Sequence, residues 1–328
     1  MAIKIDTYTN SILKNVKHYP DEPVYLISVS GPDIYYETKI NDIIIKQSYT
    51  NNEGSFPIKL FSNVNNVFNQ DGKQKVSFTL YPAVNKTFQN NDWVEISIES
   101  RNQFGDDKTI FTFEPPMKDD GETSEHIGLE SYSGEFEFEA SIPYEKQINW
   151  VDSENLQNRK NIEKEVVEAY KEVMRLYAEG DLDNLLELYK PIFQDEAQSV
   201  YATKEKKTRL YKLNWERLHP FFYKSKPNLV KDYELKFYAD GKLVTLEKKK
   251  DSSRAYNESA LSIIYDKDFD KFPDGLSRKN RDVVMFNEGT TPKMEMELFL
   301  LFHKPRGSKT LKLATDIFRK EKLLNGKD

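Results

Sequence analysis

The sequence contains no cysteine. That single absence removes disulfides, thiolate zinc sites, iron–sulfur clusters and a cysteine nucleophile, and leaves the fold to be held by packing. Long apolar runs are missing as well. The opening stretch MAIKIDTYTNSILKNVKHYP has no unbroken apolar core of the kind a signal peptide needs, and no later segment approaches the roughly 20 apolar residues of a spanning helix. We therefore expect a cytoplasmic chain with no membrane partner, or a periplasmic one if a leader has been removed. An excess of positive charge is lacking too: 48 basic residues stand against 54 acidic ones, a net charge of −6, which offers no field to attract phosphates. Nucleic acid is excluded as the expected partner. No glycine-rich phosphate loop, nucleophile elbow or kinase signature occurs.

What remains is enough apolar and aromatic material, 38% and 13%, to build a core and exclude a disordered chain, and 328 residues give room for two domains. From Pro23 to Tyr144 short runs alternate between apolar and polar: PVYLISVS, DIIIKQSY, FPIKLFS, KVSFTLYP, DWVEISIES, TIFTFEPP and EFEFEASIP. Val94, Ile96 and Ile98 oppose Glu95, Ser97 and Glu99, and Phe136, Phe138 and Ala140 oppose Glu135, Glu137 and Glu139, the period of strands with one buried face. With turn signals such as NNEGS and NQDGK between them and no helical pattern, these runs predict an antiparallel β-sandwich over residues 1–148, Ig-like in its strand count. The polar stretch around Asp119 to Gly128 reads as a long exposed loop.

Residues 149–328 read differently. Ile162, Val166, Tyr170, Val173, Met174 and Tyr177 form one stripe of a helix; Gly180 ends it, and Asp181 caps a second helix carrying Leu182, Leu185, Leu186 and Tyr189. Pro191 is expected to open a third helical segment running to Phe222. The period then changes to strands: DYELKFYADGKLVTLEKK predicts a hairpin with a type I′ turn at Asp240-Gly241, and ALSIIYD, DVVMFN, KMEMELFLLFHK and KTLKLATDIF follow. The fold class expected for the whole chain is thus two-domain, a β-sandwich followed by an α+β domain of amphipathic helices on a curved, mostly antiparallel sheet.

Tyr170, Tyr177, Ala178, Gly180, Asp181, Leu185, Leu186 and Tyr189, on a long helix, a Gly-Asp break and a shorter helix ending in Leu-Tyr, give this C-terminal half a resemblance to the NTF2-like (cystatin-like cone) superfamily. The resemblance implies a sheet folded around the long helix as a cone with a pocket at its open end. Some members are isomerases, cyclases or hydratases that use a carboxylate base there, and many only bind. The segment after Tyr189 departs from the family pattern, and its aromatics Phe193, Tyr201, Trp215, Phe221 and Phe222 are expected to cover or fill the cone.

Motifs for chemistry are sparse. His18, His126, His219 and His303 show no metal-ligand spacing, so no metal is expected; His303, at a strand end, is the one placed to face a cone mouth. Asp266, Asp268 and Asp270 start a calcium-loop pattern that fails at Lys271 and Ser277. The basic run KEKKTR, interleaved with Tyr201, Tyr211 and Trp215, reads as an exposed helix face rather than a stacking platform. The 19 tyrosines instead suggest recognition by a surface where aromatics and acids meet, with Tyr35, Tyr36, Tyr132, Glu135 and Glu137 as the candidate binding residues. The function expected is protein binding without catalysis and without a cofactor, of the kind bacterial immunity proteins use to neutralise a basic secreted toxin domain. The alternative is an NTF2-like isomerase, cyclase or hydratase with a buried carboxylate base.

Overall fold

The computed structural model describes residues 2–32, 34–48, 62–68, 70–102, 107–205, 225–249, 258–266 and 293–324. The chain forms two compact units. One is Lys17–Lys146; the other joins Met1–Val16 to Gln147–Asp328. Among the described residues, no helix is long and apolar enough to cross a membrane.

The first element, α1 (Ala2–Leu13), corrects the helix-free reading of the N-terminal half, and it belongs to the second unit. Its sequence is rich in β-branched residues and would be a marginal helix alone, so tertiary packing must hold it. The contacts are there: Tyr8 donates from its hydroxyl to the Leu186 carbonyl at 2.8 Å, its ring meets Phe193 edge-on at 6.2 Å, and Ile12 is buried.

The Lys17–Lys146 unit contains β1 (Pro23–Ser30), β2 (Ile34–Ile40), β3 (Ile43–Ser48), β4 (Ser62–Asn63), β5 (Gly72–Pro82), β6 (Glu95–Asn102), β7 (Asp107–Phe113) and β8 (Tyr132–Ala140). They pair into two four-stranded antiparallel sheets, β4-β1-β6-β7 and β3-β2-β5-β8. Rings from the two sheets interlock: Phe78 of β5 with Phe113 of β7 at 4.8 Å, Phe111 of β7 with Phe136 of β8 at 4.5 Å, and Tyr25 of β1 with Phe138 of β8 at 6.1 Å. This is the expected face-to-face pair of sheets. β2 enters as a strand of its own, and the run FPIKLFS lies outside the described residues except for Ser62. On β6 the polar positions are not wet: Ser97 is buried, its hydroxyl 2.8 Å from that of Ser28 on β1.

The other unit is α+β. α2 (Ile162–Glu179) ends at Gly180, whose φ of 70° places it in the left-handed region that suits glycine, and Asp181 caps α3 (Leu182–Ser199) by accepting from the Asn184 amide at 3.2 Å. Pro191 does not begin a third helix. It sits inside α3, and the helix continues through it to Ser199. The sheet follows: β9 (Lys226–Leu229), β10 (Tyr233–Tyr238), β11 (Leu243–Lys248), β12 (Leu261–Asp266), β13 (Lys293–His303) and β14 (Lys312–Leu323). β13 is its spine. β14 runs along one edge of it, while β12 and β11 share the other, near its start and its end. Irregularities in the β13–β14 register at Glu297/Leu298 and Leu301/Phe302 accompany a sheet that curls into a half-barrel.

The β10–β11 hairpin forms, but its turn spans Ala239 to Lys242 instead of two residues, with positive φ at Ala239, Asp240 and Gly241. A Cβ on Gly241 would fall 2.7 Å from Gln157 Cγ, so the segment before α2 presses on this turn and requires glycine there. The predicted stripe of α2 lies on the sheet. Tyr170 is fully buried, with its hydroxyl 2.9 Å from Thr245 Oγ1 of β11 and its ring 5.5 Å from Phe302 of β13. Leu176 is buried on that stripe as well, whereas Met174 is only half-buried. The predicted strand DVVMFN and the segment 206–224 lie outside the described residues.

Candidate functional sites

The five residues anticipated from sequence all lie on β2 and β8, which flank β5 in one sheet, but they point to opposite sides. Tyr35, Glu135 and Glu137 are on the outer face. Tyr36 is buried on the inner face, and Tyr132, at the start of β8, turns its ring towards Phe78 and His126 at 6.2 and 6.1 Å. The period of two explains the split, since Tyr132 shares its parity with Phe136 and not with Glu135. The outer acids are also matched by lysines of β5: Lys75 meets Glu135 at 2.7 Å and Lys73 meets Glu137 at 3.2 Å. This face is a ladder of ion pairs, not an acidic surface.

Acid in excess is found elsewhere in the same unit. The segment from Glu114 to Glu130 holds six carboxylates against one lysine, Lys118, which donates to the Ile127 carbonyl at 2.9 Å, and Glu130 is paired with Lys86 at 3.0 Å. It is not a loose loop. Asp120 accepts from the amides of Glu122 and Thr123, which holds its carboxyl below the usual carboxylate range, and the Glu125 amide donates to Pro116. A second connection, Ala83 to Val94, is stitched to it. The Phe88 amide donates to Leu129, the Gly128 amide to Phe88, and His126 Nε2 is 2.8 Å from the Asp92 carbonyl, so that nitrogen carries the proton. The Phe88 ring packs on His126 at 5.1 Å beneath. On this framework stand four large apolar side chains in solvent: Val84, Trp93, Met117 and Leu129, with Trp93 46% and Met117 59% exposed. Gly31, at the end of β1, is what lets the Trp93 backbone come so near, because a Cβ there would lie 2.3 Å from the Trp93 carbonyl oxygen. From sequence this stretch reads only as a polar exposed loop, not as an acidic site, and Trp93 was missed as well, since nothing local marks a tryptophan as exposed.

The α+β unit carries a half-open groove of about 840 Å³ between α2, α3 and the β13–β14 connection. Ile148, Val173, Leu188, Pro191, Phe302 and Leu313 form its apolar floor. Asp195 of α3 fixes the incoming chain by accepting from the amides of Gln147 and Ile148 at 2.7 and 3.0 Å. His303 lines this groove; it is buried, hydrogen-bonded to Ser153 at 2.9 Å, and pushed down to about 4 by burial and by the neighbouring Lys312.

Four glutamates line the groove, and each is ion-paired, with Arg159 shared with Glu154 and Arg175 shared with Glu179 and Asp181. Glu165 takes the buried Lys304 ammonium at 2.9 Å and Arg159 at 2.9 Å. Burial pushes the Glu165 carboxyl up, but the bonds from Lys304 and Arg159 outweigh this and leave it below the ordinary range. Glu168 is held low by Lys171 at 2.8 Å, Glu172 by Arg175 at 2.7 Å, and Glu187 meets Lys190 at 3.2 Å. Lys164, Lys309 and Lys312 on the rim have no carboxylate within ion-pair distance among the described residues.

Among the described residues no group of three or more His, Asp or Glu side chains is placed to hold a metal ion. His18 pairs with Glu22 at 2.8 Å. His219, Tyr211, Trp215, Phe221, Phe222 and the acidic run beyond Asp266 lie outside the described residues; Phe193 and Tyr201 are buried. No family model, curated protein or solved structure matches this chain.

Proposed function

We propose that this chain is a non-enzymatic, immunity-type binding protein whose β unit takes a basic protein partner, such as a toxin domain, on the loops that carry Trp93. The observation that supports it most directly is the pairing, on one hydrogen-bonded framework, of four exposed apolar side chains with a carboxylate-rich rim. A large aromatic anchor beside an excess of charge of one sign is the arrangement that gives both affinity and steering at protein interfaces. The NTF2-like reading of the other unit rests on its order of two helices and a curled sheet, with Tyr170 set against that sheet. An enzyme of that superfamily would need a groove carboxylate held neutral or poised near pH 7. Here Glu165, Glu168 and Glu172 are displaced downwards by their cations, which favours binding over chemistry.

The test is capture from the native host by the full chain, followed by reconstitution with the purified partner. A basic protein should bind stoichiometrically, weaken as salt rises, lose at least about thirtyfold in affinity to Trp93→Ala, and arrest growth unless this chain is co-expressed. A partner held equally well by Trp93→Ala and by the double variant Asp119→Lys, Glu122→Lys would reject the reading.

A further inference from the structure

The groove of the α+β unit has a charge balance that differs from its composition. Counted by residue it is mixed; counted by what is already satisfied it is positive. Its four glutamates are each engaged by Lys304 with Arg159, Lys171, Arg175 or Lys190, while among the described residues the three rim ammoniums of Lys164, Lys309 and Lys312 make no ion pair, Lys164 acting on Glu168 only at longer range. Lys309 comes from the β13–β14 connection, Lys312 from the start of β14 and Lys164 from the first turn of α2, so they face the groove from both sides of its mouth. Below them the floor is apolar, and at about 840 Å³ the volume is that of a small-molecule site.

From this geometry we infer that the groove binds an amphipathic monoanion, an acyl chain ending in a single carboxylate, with the head among Lys164, Lys309 and Lys312 and the chain along Val173, Leu188, Phe302 and Leu313. A polyanion fits less well. Its further charges would come within reach of Glu165, Glu168, Glu172 and Glu187, whose own cations are already engaged. A cationic amphiphile would meet the free ammoniums and is disfavoured on the same ground. An uncharged alcohol would keep the floor but lose the charge-assisted bonds that fix the head. The inference goes beyond the proposed protein partner, which uses different residues, and it stands or falls without it.

Dodecanoate below its micelle concentration is the probe, titrated calorimetrically into the full chain alongside dodecyltrimethylammonium and dodecanol. Dodecanoate should saturate at one equivalent, and both of the other amphiphiles should bind at least about tenfold more weakly. The triple variant Lys164→Gln, Lys309→Gln, Lys312→Gln alters only exposed side chains and should reduce dodecanoate affinity about tenfold or more with unchanged circular dichroism. Leu188→Trp, which fills the floor, should abolish saturation while the rim stays intact. Absence of saturable dodecanoate binding, equal binding of the cationic amphiphile, indifference to the triple lysine variant, or preference for an acidic amphipathic peptide would each overturn the inference. None of these outcomes depends on Trp93, so failure here leaves the loop reading untouched and the reverse also holds.

Discussion

The Trp93 loops of the β unit and the groove of the α+β unit present opposite chemistry, and the difference arises from how each handles its charges. On the loops, acids such as Asp119 and Glu122, which make no ion pair among the described residues, stand beside apolar side chains that face solvent. In the groove the acids are engaged, the apolar side chains are recessed, and the unmatched charges are lysines. Net charge predicts neither surface. The chain carries −6 overall, yet one of its two candidate sites favours an anion. What decides a site is the charge left over after local pairing, together with whether the apolar surface beside it is convex or concave.

That contrast breaks first if the groove is not a packed framework. Val166 of α2 is fully buried, so Val166→Asp places an unpaired carboxylate in the core and should cost about 3–5 kcal/mol, visible in denaturant unfolding of the full chain. If unfolding is unchanged, the α2 stripe does not face the sheet.

The next largest effect is acidic. His303 sits at about 4 when folded, against about 6.5 when unfolded, so above pH 6.5 both states are neutral and it contributes no pH dependence. As pH falls below 6.5 the unfolded chain binds the proton first, and stability declines until about pH 4. At roughly 1.4 kcal/mol per unit the loss is on the order of 3 kcal/mol. Glu165, held low by Lys304 and Arg159, adds to the loss only at lower pH, as it protonates. His303→Asn should flatten stability between pH 6.5 and 4; an unchanged slope would mean the imidazole is solvated and the groove wetter than its floor implies.

The loops are sharpened by a smaller effect. Gly31→Ala sets a methyl against the Trp93 carbonyl, a displacement worth about 1–3 kcal/mol, and should shift Trp93 fluorescence. Trp93→Ala, which removes an exposed side chain, should change stability by less than about 0.5 kcal/mol. If the two costs came out in the reverse order, Trp93 would be a core residue and no anchor.

How far this was legible in sequence follows from the range of the interactions concerned. The paired sheets, the α2 stripe and the Gly180-Asp181 break are local patterns with a fixed period or cap, and they read correctly. α1 did not, because AIKIDTYTNSIL becomes a helix through Tyr8 and Ile12 packing on α3, residues nearly two hundred positions away. Pro191 was misplaced too: it lies inside α3, although proline suits the first turn of a helix and was expected to begin one. His303 was legible as a residue at a strand end, but its partner Ser153 and the groove around it are assembled from segments between Gln147 and Leu313. The binding residues suffered from a different error: composition grouped Tyr132 with Glu135 and Glu137, where strand parity separates them, and no inspection of β8 alone reveals that lysines of β5 stand opposite its acids.

The smallest expected effect bears on those acids. Lys75 and Glu135 touch at 2.7 Å, but both side chains are more than half exposed, so a double-mutant cycle with Lys75→Ala and Glu135→Ala should give a coupling below about 0.5 kcal/mol that shrinks further as salt is raised. A pair this weak does not hold the sheet together; its consequence is electrostatic, since each lysine cancels an acid on the outer face. Glu135→Gln should accordingly remove one acid from that face and make it more positive, while the loops that carry Trp93 keep their acidic excess. Association with a basic partner, measured as an on-rate at low salt, should therefore fall only slightly for Glu135→Gln and steeply for Asp119→Lys with Glu122→Lys. An equal fall for both would move recognition back to the ion-pair ladder and remove the loops from the interface.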